Sequence, residues 1–96
     1  MNSPLAEVLD LTRAMLAAAR TADWTGFGRL QERRAQLLKP DLYMHADAPS
    51  LLPQLNEAQR ELSAEIASAH AEVRRNLLDS QRGYAAASAY LDAAQD

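Results

Sequence analysis

The sequence predicts an all-α fold: an antiparallel three-helix bundle with a long third helix. Three observations carry this. Alanine, leucine, glutamine, glutamate and arginine dominate the composition, and all are good helix formers. Val8, Ile66 and Val73 are the only valine and isoleucine residues, and no run alternates with period two, so strands are not expected. From Leu52 onward, mostly apolar residues recur at helical spacing, through Leu55, Leu62, Ile66, Ala69, Val73, Leu77, Tyr84, Ala87 and Leu91. That stripe implies a rod of about 60 Å, against about 25 Å for each of the two helical segments before it. A bundle of such helices leaves part of the stripe bare, and a bare stripe marks a place where another chain docks.

The first helix is expected over residues 4–21. Ser3 caps it, and Pro4 takes the first helical position, where a missing N–H costs nothing. Glu7 and Asp10 suit the positive end of its dipole and Arg20 the negative end. Leu5, Val8, Leu9, Thr12, Met15, Leu16 and Ala19 make one wide apolar face, with Leu11 to its side. Asp23 reads as the cap of a second helix over residues 24–39. Trp24, Phe27, Leu30, Leu37 and Leu38 form its inner face, the two aromatics being expected in the core. Gly26 and Gly28 weaken its first turns, and Pro40 stops it.

Residues 40–49 form the one real loop, with Leu42, Tyr43 and Met44 apolar enough to fold back on the bundle. Ser50 is the expected cap of the third helix, with Pro53 in its first turn. That helix is expected over residues 51–80 and on towards 91. With Gln59 between Leu55 and Leu62, its stripe alternates steps of three and four until Leu77 takes the place a strict heptad gives to Asn76. This stutter locally unwinds a left-handed supercoil. Residues 84–94 read either as the end of the third helix or as a short fourth helix beyond Gly83.

Size allows one small helical domain over residues 1–96. Ten basic and thirteen acidic residues give a formal charge of −3, against general binding to nucleic acid or anionic membrane. Cysteine is absent, which excludes disulfides and thiol chemistry. The N-terminal Met-Asn-Ser-Pro lacks the basic start and apolar run of a signal peptide, so a cytoplasmic location is expected.

No catalytic constellation emerges, and neither an enzyme nor a bound cofactor is expected. His45 lies among Asp41, Tyr43 and Asp47, a weak set of metal ligands that reads as solvated loop polarity, and no metal site is expected. His70 stands alone on the third helix, without a zinc-hydrolase arrangement. Arg34 lies between Leu30 and Leu37 on the inner side of the second helix. It is expected to snorkel from the core edge and pair with a carboxylate such as Glu7 or Glu65, the alternative being a role in partner recognition. Small helical chorismate mutases also have three helices, but their long helix comes first and their site needs inward Arg and Lys around a dianion. Here the long helix is last and its stripe is apolar.

The run from Leu11 to Ala19, then Ala22-Asp23-Trp24, then Leu30-Gln31-Glu32-Arg33-Arg34-Ala35-Gln36-Leu37-Leu38 resembles the N-terminal half of FliT-type flagellar export chaperones. So does the tail from Ser80-Gln81-Arg82-Gly83-Tyr84 through Ala89-Tyr90. The resemblance implies a bacterial cytoplasmic chaperone that binds the filament-cap protein FliD before export and contacts the export apparatus. In some relatives the C-terminal helix folds over the client site, and the protein also restrains the flagellar master transcription regulator. On this reading Ile66, Val73 and Leu77, with Tyr84 and Tyr90 further out, are the anchors for a client's amphipathic helix. The alternative is a helical homodimer with no export client, burying the same stripe against a second copy.

Overall fold

The computed structural model describes residues 3–94. They form α1 (Pro4–Arg20), α2 (Trp24–Leu37), a 3₁₀ turn at Leu42–Met44 and α3 (Ala48–Ala94), with no strand among the described residues. The chain divides into two units, Met1–Ile66 and Ala67–Asp96, and α3 contributes to both.

The ends of α1 are closed by the groups its sequence suggests. Ser3 Oγ accepts from the Ala6 N–H at 3.1 Å, and Pro4 opens the first turn. At the other end, the Ala22 N–H donates to the Ala19 carbonyl and the Asp23 N–H to the Ala18 carbonyl. This pair of bonds is a Schellman closure, and it requires a left-handed residue at Ala22, whose φ is 58°. Asp23 then starts the next helix: its Oδ1 accepts from the Gly26 N–H at 3.0 Å. A Cβ on Gly26 would run into that same carboxylate, so the glycine and the cap belong together. Gly28 has open space around it and no such constraint.

Two apolar layers hold the unit Met1–Ile66 together. Leu5 and Val8 of α1 meet Leu42, Ala48, Leu37 and the α3 residues Leu51, Leu52 and Leu55. Met15, Leu16 and Ala19 meet Leu62 and Ile66 of α3, with Phe27 and Leu30 of α2. The start of α1 thus faces the end of α2, so the two run antiparallel. The stretch of α3 up to Ile66 runs with α1 and against α2, which completes an up-down-up bundle. Exposed ion pairs from Arg20 to Glu61 at 4.0 Å and Glu65 at 3.5 Å add little beyond pinning the α1–α3 register.

Several expectations need correction. Trp24 is not core: it is 45% exposed, with its ring edge-on to half-buried Phe27 at 5.5 Å. It stands in the first turn of α2, a helix that fully buries none of its residues. Leu11, placed to the side of α1 by the periodicity, is buried, because α1 is covered on more than one flank. Of the loop apolar residues only Leu42 folds in, while Tyr43 and Met44 stay exposed. The third helix begins at Ala48, ahead of Ser50, so Pro53 lies inside it and leaves the Pro49 carbonyl without its helical donor. Among the described residues no separate fourth helix follows Gly83: α3 is continuous through it to Ala94.

Arg34 also departs from expectation. Its Nη1 donates to Thr12 Oγ1 at 3.2 Å and to Gln59 Oε1 at 3.1 Å, and neither partner is a carboxylate. Glu65 pairs with Arg20 instead. Thr12 is fully buried and passes the chain on, donating to the Val8 carbonyl at 2.8 Å.

Candidate functional site

The largest group of uncovered apolar side chains belongs to the unit Ala67–Asp96. Val73 is 65% exposed, Leu77 58% and Tyr84 77%, with Tyr90 and Leu91 also exposed. An unbroken α-helix advances about 100° per residue, which fixes how these residues share its surface. Val73, Leu77, Tyr84 and Leu91 fall within about 40° of one another. They make a narrow apolar line along one face.

Two of the expected anchors lie differently. Tyr90 sits about 120° round the helix from Tyr84 and flanks the line without joining it. Ile66 belongs to the other unit, where it is half-buried and packs against Leu62, Met15 and Leu16. Leu91, outside the expected anchors, falls on the same line and is exposed. Its place on the line depends on the helix keeping its register through Gly83, which periodicity leaves open.

The chemistry available along the line is shape and apolar contact. The ionisable groups nearest in sequence are arginines and acids that stay exposed, such as Arg82, 4.0 Å from Asp79 one turn earlier. No group of three or more His, Cys, Asp or Glu among the described residues is placed to hold a metal. His45 is half-buried beside the 3₁₀ turn, and His70 is exposed on α3.

A family model described as flagellar protein FliT matches residues 2–92 of this 96-residue chain. The chain belongs to the FliT family. The match takes in α1, α2 and α3 as far as Asp92, so the apolar line lies within the matched residues. It also covers the Ala22-Asp23-Trp24 turn, whose backbone closes one helix while its carboxylate opens the next. Searches of curated proteins and of solved structures give no match. No helix among the described residues is long and apolar enough to cross a membrane.

Proposed function

We propose that this FliT-family chain is a cytoplasmic export chaperone that holds an amphipathic helix of its client along the apolar line of α3. The client is the filament-cap protein FliD, kept from premature assembly until it reaches the export apparatus. The observation that carries the reading is the line itself: Val73, Leu77, Tyr84 and Leu91 stand exposed on one face of a continuous helix. Apolar residues spaced by one and two turns, at steps of four and seven, match the anchors of a helix laid alongside. Ile66 and Tyr90 are secondary on this account, one already packed at home and the other a flank contact. Release requires no covalent chemistry, since the contact is reversible burial of apolar area.

Co-purification of FliD with the chain and with a Leu77→Asp variant tests this. Leu77 is exposed, so the aspartate leaves the fold intact, and the expected result is capture by the native chain and loss by the variant at unchanged helicity. Equal capture by both removes the line as the client site. Sedimentation separates the rival homodimer: a dimer that persists unchanged when client is added favours self-association as the purpose of the line.

A further inference from the structure

The half-buried arginine in the unit Met1–Ile66 is a second place where the chain is chemically incomplete. A guanidinium carries five N–H donors. Both donors on Arg34 Nη1 are used, one by Thr12 and one by Gln59. Nε and Nη2 have no protein acceptor among the described residues, and no carboxylate lies within ion-pair distance of Arg34 there. That free edge presents two parallel N–H groups, the geometry that receives a carboxylate through both oxygens.

The surroundings match such a guest. Arg34 lines a cavity of about 250 Å³ together with Val8, Leu55, Asn56 and the apolar side chains of Leu38 and Tyr43. Leu38 is half exposed and Tyr43 slightly more, and they form an apolar rim beside the charge. The guanidinium is itself held still, because buried Thr12 and the α3 residue Gln59 fix Nη1 from two helices. A fixed fork loses less entropy on binding than a free one.

We propose that this cavity is a docking site for an acidic side chain, aspartate or glutamate, of a partner protein, with a neighbouring apolar residue of the partner resting on Leu38 and Tyr43. The apolar rim argues for a side chain on a peptide, because a small free carboxylate would leave Leu38 and Tyr43 uncovered. The site involves none of the residues of the α3 line, so it stands whether or not FliD is the client of that line.

The test follows the Arg34 Nε–H and Asn56 side-chain amide resonances of the full chain while capped tripeptides are added. Acetyl-Leu-Asp-Leu-amide is compared with acetyl-Leu-Asn-Leu-amide and with sodium acetate. The expected result is a shift with the aspartyl peptide at a Kd roughly tenfold or more below that of the asparaginyl one, the ratio typical of a charge-assisted bond. Acetate binds more weakly than the aspartyl peptide, and Arg34→Lys, followed like the native chain through the Asn56 side-chain amide of the same cavity, keeps the charge but not the fork and loses most of the tenfold preference. Equal affinity for the two peptides overturns the carboxylate site. Acetate as tight as the aspartyl peptide overturns a protein partner in favour of a free carboxylate. A shift that grows with chain concentration alone assigns the edge to a second copy and overturns it as well.

Discussion

Two leucines on the same helix should respond oppositely to truncation. Leu62 is 1% exposed and packs against Met15, Leu16 and Ala19, so Leu62→Ala deletes a side chain from the centre of a layer. Such deletions cost about 2–5 kcal/mol, being lost transfer energy plus the cavity left behind. The unit Met1–Ile66 has 66 residues, and at roughly 0.05–0.15 kcal/mol per residue its total stability is about 3–10 kcal/mol. The variant should therefore lose about a fifth of its stability or more. With a urea slope near 1 kcal/mol per molar, its midpoint should fall by about 2 M or more. Leu77→Ala removes the same atoms from a side chain that is 58% exposed, and should move stability by no more than about 0.5 kcal/mol. Urea titrations followed by helical circular dichroism, at low micromolar protein, measure both. A loss below about 1 kcal/mol for Leu62→Ala would refute the placement of the core, since no buried leucine yields so little. An equal loss for Leu77→Ala would show that the apolar line is covered in solution.

The two glycines of α2 give a second contrast. Gly28→Ala should stabilise by up to about 1 kcal/mol, since its Cβ meets nothing and alanine is the better helix former. Gly26→Ala should gain little or lose, because its Cβ displaces the Asp23 carboxylate and a lost N-cap costs about 1 kcal/mol; thermal melts of the pair report the difference. Ala22→Gly should raise the melting temperature by a few degrees, because a left-handed alanine costs about 1–2 kcal/mol and glycine gives back part of that in chain entropy. A lower melting temperature would mean that the turn between α1 and α2 is not left-handed.

Much of the fold is local, and local physics is legible in a sequence. Ser3 and Pro4 mark the start of α1 because capping needs only a hydroxyl and a preset φ. Asp23 marks α2 for the same reason, and the α1–α2 turn falls where Arg20 and Asp23 bracket it. The stripe on α3 is legible too, since spacing alone puts Val73, Leu77 and Tyr84 on one face. Spacing does not say what covers a face. Ala58 is buried while Gln59, the position the stripe assigns inward, is exposed, because the face that α3 turns to the core is decided only once α1 lies against it. Trp24 is the converse, apolar enough for the core yet left half open because nothing closes over the first turn of α2.

From its residues alone this chain is all helical, free of thiol chemistry, and apolar along the face of its last helix, because composition, caps and the helical period act within a few residues of one another. Tertiary structure decided three further things: that α3 keeps its register past Gly83, that Ile66 is claimed by the core while Leu91 is not, and that Arg34 is anchored by Thr12 and Gln59 with its other edge free. Each depends on which groups from distant parts of the chain arrive at one place, and pairings between helices follow from packing that no local pattern encodes.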